Sequence, residues 1–191
     1  MVPQFYLDDI IRRALMEDIH YLDTTTDYMI DGHATGTAQL IAKAEGVVCG
    51  VEVAKRVFQL LDDTCRFDIL KPDGSRVAPG DVIARLSGNT RALLKGERTA
   101  LNLLQHLSGI ATATRRLVDL VAGTKAAITD TRKTLPGLRA LQKYAVTVGG
   151  GQNHRFNLSD GAMLKDNHID AAGGIPAAVT ALRQKLGHMV K

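Results

Sequence analysis

TDTRKTLPGLRALQKYAVTVGGGQNHRFNLSDGAMLKDNH, residues 129–168, is the stretch on which the reading of the fold turns. The short apolar run Ala126-Ala127-Ile128 leads into Asp130-Thr131-Arg132-Lys133, and a second run, Ala162-Met163-Leu164, leads into Lys165-Asp166-Asn167-His168. Between them the triplet Gly149-Gly150-Gly151 precedes Asn153-His154-Arg155. Cationic groups thus arrive twice directly after strand-like runs and once after a glycine turn. In parallel sheets and barrels, ligands bind at the carboxyl ends of strands. The pattern predicts one pocket walled by Arg132, Lys133, His154, Arg155 and Lys165, suited to a small polyanion.

Downstream and upstream of that stretch the rhythm is short strand, loop, helix. Ala126–Thr129 and Ala162–Leu164 read as strands, Gly137–Thr147 and Ile175–Leu186 as helices. Strands alternating with helices predict βα units on a parallel sheet, and two or three units are too few to close a barrel. Gly187 is expected to stop the last helix as a C-terminal cap. His188-Met189-Val190-Lys191 then reads as entry into another strand, leaving a parallel edge that is a poor place for a domain to end. Marginal stability or aggregation is the expected consequence.

Residues 91–122 form the longest helical pattern. Leu93, Leu94, Ala100, Leu101, Leu104, Leu107, Ile110 and Ala111 make its apolar stripe, with a kink or break expected at Ser108-Gly109. Glu97-Arg98 is a polar pair where that stripe is densest; alone it reads as a solvated outer face. Before it, residues 37–50 read as strand, glycine turn, strand, 51–61 as a helix, and 66–86 as strands separated by Pro72-Asp73-Gly74 and Pro79-Gly80-Asp81. The first residues, 4–17, have the spacing of an amphipathic helix, and Asp23-Thr24-Thr25-Thr26 that of a turn and cap. This half reads as a small α+β unit with an antiparallel or mixed sheet. Its turn rhythm from Asp73 to Ile83 is also that of biotinyl or lipoyl carriers, but no modifiable lysine sits on a suitable hairpin.

Composition narrows the function classes. The chain has 191 residues, 45% hydrophobic and 23% charged, with a net charge of +4, an ordinary globular make-up. That charge agrees with an anionic ligand but not with a nucleic-acid footprint, since no dense Lys/Arg run accompanies it and Trp is absent. Cys49 and Cys65 lack metal-ligand spacing and a CxxC, so they read as reduced, buried thiols of a cytoplasmic protein. The N-terminus carries acids and no continuous apolar run, unlike a signal peptide, and no segment approaches a bilayer-spanning length.

Several ordered motifs together resemble one family. Glu97-Arg98-Thr99-Ala100-Leu101-Asn102, Asp130-Thr131-Arg132-Lys133-Thr134-Leu135-Pro136-Gly137-Leu138-Arg139, the glycine triplet with Asn153-His154-Arg155, and Leu164-Lys165-Asp166-Asn167-His168 are similar to quinolinate phosphoribosyltransferases. Glu17-Asp18, Asp23-Thr24-Thr25 and Ala44-Glu45-Gly46 also fit. The resemblance implies an α/β protein: an N-terminal α+β domain, residues 1–107, then part of an open α/β (TIM-like) barrel, residues 108–191. It implies a dimer or dimer-based oligomer that converts quinolinate and phosphoribosyl pyrophosphate, with Mg²⁺, into nicotinate mononucleotide, pyrophosphate and carbon dioxide.

By motif position, Thr131, Arg132, His154, Arg155 and Lys165 would line the quinolinate pocket. Lys133 would meet the donor's phosphates, Lys133 and Lys165 would be the catalytic lysines, and Arg98 would reach the neighbouring subunit's site. His168 and Asp166 divide evenly between ligand shell and loop architecture; His20, His33, His106 and His188 read as structural or solvent-facing. The family's later strands should supply the acids for ribose and magnesium and a loop for the 5′-phosphate, and these are expected beyond Lys191. A catalytically inactive dicarboxylate-binding or dimerisation module and the molybdate-transport-associated paralogue are the alternatives the sequence leaves open.

Overall fold

In the computed structural model, which describes residues 2–191, the amphipathic spacing at the start of the chain becomes α1 (Gln4–Ile19), burying Ile11 and Leu15. Asp23 then caps α2 (Thr24–Met29): its Oδ1 accepts the Thr26 N–H at 3.0 Å, the role expected of an Asp-Thr-Thr-Thr turn. Contacts divide the chain into two compact units, one ending at Asn153 and the other His154–Lys191. Each is described by itself.

The first unit holds an antiparallel three-stranded sheet, ordered β1 (Thr35–Ile41), β5 (Val82–Asn89), β3 (Arg66–Ile69). The short β2 (Gly46–Val47) pairs with β4 (Arg76–Val77) in a second, two-stranded sheet. The two strands on either side of the Ala42–Glu45 turn therefore do not form a hairpin with each other. Their partners come from the 66–89 segment, so the register rests on non-local pairing: Thr37 faces Ser87 and Phe67 faces Leu86. β5, with a neighbour on both sides, buries Ile83, Ala84 and Leu86. α3 (Val51–Leu61) turns Val51, Ala54, Val57 and Phe58 into the same core, at the i, i+3, i+6, i+7 spacing of one helix face.

The spine of this unit is α4 (Thr90–Leu120), started by Asn89, whose Oδ1 accepts the Arg91 and Ala92 N–H groups. It runs unbroken through Ser108-Gly109, against the expected kink. The reason is that Ser108 spends its hydroxyl on another segment: Oγ accepts the Cys49 N–H at 3.0 Å and donates to the Cys49 carbonyl at 3.2 Å. It therefore does not compete for its own helix carbonyls. Thr112 does the same for β2, accepting the Val47 N–H at 2.8 Å. Leu94, expected in the stripe, is 45% exposed, whereas Leu93, Ala100, Leu103, Leu104, Leu107 and Ala111 are buried. Cys49 and Cys65 are free and buried, as expected.

α5 (Arg139–Val148) closes the first unit, α6 (Asp166–Ala172) and α7 (Ile175–Arg183) form the second. The two predicted strands here are reduced to single links. Thr129 makes one parallel bridge with Gln152, through Gln152 N–H to the Ile128 carbonyl (2.8 Å) and Asp130 N–H to the Gln152 carbonyl (3.1 Å). Ala162 N–H donates once, to the Lys191 carbonyl at 2.8 Å. Three-residue apolar runs with one neighbour each cannot sustain a ladder. α7 also ends earlier than expected, at Arg183 rather than at Leu186, and α6 begins directly after Lys165 where a loop was expected. The class remains α/β: an N-terminal sheet domain followed by a largely helical part with the succession of an open barrel. Among the described residues, no helix is long and apolar enough to cross a membrane.

Candidate functional site

The segment between the Thr129 bridge and α5 is a loop gripped by the helix that follows it. Thr131 Oγ1 accepts the Lys133 N–H at 2.8 Å, a hydroxyl turn that folds the backbone back on itself. The Arg132 carbonyl accepts from Thr134 N–H at 3.0 Å and from Arg139 Nη2 at 3.4 Å. Arg139 Nε donates to Thr134 Oγ1 at 3.0 Å, and Leu135 N–H donates to Gln142 Oε1 at 3.0 Å. Arg139 and Gln142, three residues apart on one helix face, thus hold the loop at two points.

This arrangement leaves the two loop cations in different states. Lys133 is exposed, while Arg132 is half-buried. The Arg132 Nε is sealed from solvent and has no hydrogen-bond partner. Such a donor costs about 1–3 kcal/mol of desolvation unless an acceptor reaches it. A planar guanidinium offers Nε and Nη together to a carboxylate, so the orphaned donor is suited to an anionic group entering beside it.

Beneath the loop lies a polar core that the sequence reading did not single out. Lys143 of α5 is 1% exposed and forms an ion pair with Asp130, the residue before Thr131. Asn153, its amide oriented by its acceptors, donates to Asp130 Oδ2 at 2.6 Å and to the Lys143 carbonyl at 3.0 Å. The available signal was a lysine among the buried Ala140, Leu141 and Ala145 of an amphipathic helix. The glycine triplet, too, is explained by packing. A Cβ on Gly149 would meet the Ala111 carbonyl at 2.6 Å, and one on Gly150 (φ +90°) would sit 1.7 Å from Arg115 Nη2. The turn is glycine because α4 passes directly over it, with Arg115 Nε donating to the Gly149 carbonyl at 2.9 Å.

The remaining predicted residues fall elsewhere. In the second unit, His154 Nδ1 accepts the Arg155 N–H at 2.8 Å, and Arg155 Nη1 donates to the Gly161 carbonyl at 2.7 Å, closing the turn between them. Lys165 is exposed at the start of α6. His168 is committed to that start: its Nδ1 accepts the Lys165 N–H at 3.1 Å and its own N–H donates to the Lys165 carbonyl. Glu97 and Arg98 are both exposed on α4. Thr131, Arg132 and Lys133 therefore share one loop of the first unit, and His154, Arg155 and Lys165 belong to the second. A groove lined by Asp9, Arg13, Glu17, Asp18, Asn102 and Pro136 runs past the far end of the loop. Among the described residues no three His, Cys, Asp or Glu side chains gather into a metal-holding group.

Comparison with known proteins gives a consistent answer. Residues 23–108 match the N-terminal domain of quinolinate phosphoribosyl transferase, and residues 110–191 match its C-terminal domain. The chain is 48% identical over 184 residues to the probable nicotinate-nucleotide pyrophosphorylase (carboxylating) of Bacillus subtilis, which covers 96% of this chain and 63% of that protein. It is 48% identical over 178 residues to the nicotinate-nucleotide pyrophosphorylase (carboxylating) of Mycobacterium leprae, covering 92% of this chain and again 63% of the relative. Among solved structures, NadC from Streptococcus pyogenes superposes on all of this chain and on 67% of its own length, with a TM-score of 0.94 and 44% identity. The chain thus spans a little under two thirds of the length of the curated relatives it matches.

Proposed function

The chain belongs to the quinolinate phosphoribosyltransferase family, and from that premise we propose that it serves phosphoribosyl transfer to quinolinate with decarboxylation, a step of NAD biosynthesis. The observation that carries this reading is the buried, unpartnered Nε of Arg132 in a loop that also exposes Lys133. Quinolinate has two adjacent carboxylates, and guanidinium groups bind such groups bidentately where an ammonium offers only a point charge.

In this reading Arg132 and Thr131 receive a carboxylate of quinolinate, and Arg155, His154 and Lys165 are substrate-binding residues by their place in the family's motifs. Lys133 meets the phosphates of phosphoribosyl pyrophosphate. The ring nitrogen's lone pair forms the bond to the anomeric carbon while the carbon–oxygen bond to pyrophosphate breaks, and the leaving group takes that electron pair. Lysines beside it offset the charge it gains. The carboxyl carbon at the ring's 2-position then leaves as carbon dioxide; the electron pair left on the ring carbon, next to the now cationic nitrogen, takes up a proton. Holding ring nitrogen and anomeric carbon in reach of each other supplies a large share of such a rate. Among the described residues no group of acidic or imidazole side chains is placed to hold magnesium; the ion would arrive with the phosphates of phosphoribosyl pyrophosphate and offset their charge. Two further parts of the proposal are a domain boundary at 107/108 and a homodimer in which the exposed Arg98 serves the neighbouring site.

The test is calorimetric titration of quinolinate into the chain and into Arg132→Ala and Arg155→Ala, followed by an assay for nicotinate mononucleotide with phosphoribosyl pyrophosphate and Mg²⁺. Each substitution is expected to weaken binding roughly 10- to 100-fold, the worth of a charge-assisted hydrogen bond or two. Undiminished affinity in Arg132→Ala, or no binding by the parent chain, would overturn the reading.

A further inference from the structure

Gln142 of α5 stands between a loop amide and an imidazole, and the chemistry of its neighbours fixes which way it faces. Leu135 N–H can only donate, so the atom 3.0 Å from it must be the amide oxygen. The NH₂ end then faces His106 Nε2 of α4 at 2.8 Å. An NH₂ group only donates, so that ring nitrogen must accept, and the neutral imidazole keeps its proton on Nδ1. Orientation is thereby passed from α4 through α5 to the backbone two residues beyond Lys133. The loop's other grip, Arg139, consists of donors alone and cannot be turned the wrong way round. Gln142 can: reversed, it would present NH₂ to the Leu135 N–H.

We infer that His106 is a positioning residue, which fixes the Gln142 amide so that its oxygen clamps the 131–138 loop with Arg132 and Lys133 in place to receive an anion. The identity of that anion rests on the quinolinate reading; the clamp does not.

The experiment uses the full chain and reads two quantities, amide hydrogen exchange at Leu135 by NMR and quinolinate affinity by calorimetry. His106→Gln keeps an acceptor oxygen and is expected to leave both within about twofold of the parent. His106→Arg offers only donors, reverses the Gln142 amide, and should speed Leu135 exchange about five- to tenfold, the worth of one hydrogen bond, with several-fold weaker binding. Adding Gln142→Glu to His106→Arg should restore both, because a carboxylate accepts from the guanidinium and from Leu135 together. If His106→Arg does not fold, His106→Leu removes the acceptor without adding charge and makes the same comparison. Leu135 exchange that ignores the substitution overturns the clamp, as does exchange that follows the pattern while the affinity of a binding chain stays constant. A parent chain that binds no quinolinate but shows the exchange pattern upholds the clamp and refutes the functional reading.

Discussion

Asp130 lies two residues before Arg132 and Lys143 on the helix that follows the loop, and neither is exposed enough to be solvated as a free charge. Replacing Lys143 by Met breaks this buried ion pair, a change that costs on the order of 3–5 kcal/mol; a denaturant melt of Lys143→Met reads it directly. A second pair ties α1 to α3: Arg56 Nε and Nη2 donate to the two oxygens of Asp8 at 2.7 Å each. Those hydrogen bonds, opposed by burial and aided by the charges of Arg56 and Arg12, hold the Asp8 carboxyl below its ordinary value of 3.8. A depressed carboxyl binds its proton more weakly in the folded state, so its stabilisation is complete above about pH 4 and is lost as pH falls further. Melting temperatures of the parent should therefore decline on acidification below that point, and Asp8→Asn, less stable at neutral pH by about 2 kcal/mol, should show a flatter decline. An equally steep acid limb in Asp8→Asn would assign the effect to other carboxylates.

At the scale of elements, α3 shows how a turn from one segment starts a helix in another. Asp73, in the Pro72-Asp73-Gly74 turn, accepts the Gly50 and Val51 N–H groups on Oδ1 at 2.9 Å and the Tyr144 hydroxyl on Oδ2 at 2.7 Å. The turn rhythm that resembles a carrier hairpin thus serves to cap α3 and dock α5 against it. Burial first, and the hydrogen bond to Asp73 second, raise the Tyr144 hydroxyl above its ordinary 10.0, keeping it a donor. Stability from this contact is present below pH 10 and falls as the pH rises beyond it. Gly50, the residue before α3, has φ +95°, and a Cβ there would meet Leu107 Cδ1 at 2.7 Å. Gly50→Ala combines left-handed strain with overpacking, for an expected loss of about 2–4 kcal/mol in equilibrium unfolding. A loss below 0.5 kcal/mol would show that Leu107 yields.

For the whole molecule, burial is uneven. In His154–Lys191, among the described residues, Ala178 is the one buried apolar side chain, while Leu158, Met163, Ile175 and Met189 stand 40% or more exposed. Opening free energy follows buried apolar contact, so limited proteolysis is expected to cut within 154–191 first and leave a resistant fragment ending near Asn153. Simultaneous loss of both units would refute this. How much of this was legible beforehand follows the range of the interactions involved. α1, α3, α4 and α5 announced themselves through local spacing, and the Asp23 cap through residue type. The loop cations were legible because Asp-Thr-Arg-Lys follows an apolar run. Strand pairing was not, because β1 and β2 find partners thirty to fifty residues away. Nor was the continuity of α4 through Ser108-Gly109, which depends on Cys49 accepting and donating across the core. The sequence by itself determined α1, α3 and α5, the α/β class and the cationic loop, since each is written in neighbouring residues. Only the tertiary structure decided that Arg132 Nε is buried without a partner and that Lys143, Gln142 and His106 stand behind the loop, because desolvation and hydrogen-bond direction depend on which distant atoms surround a group.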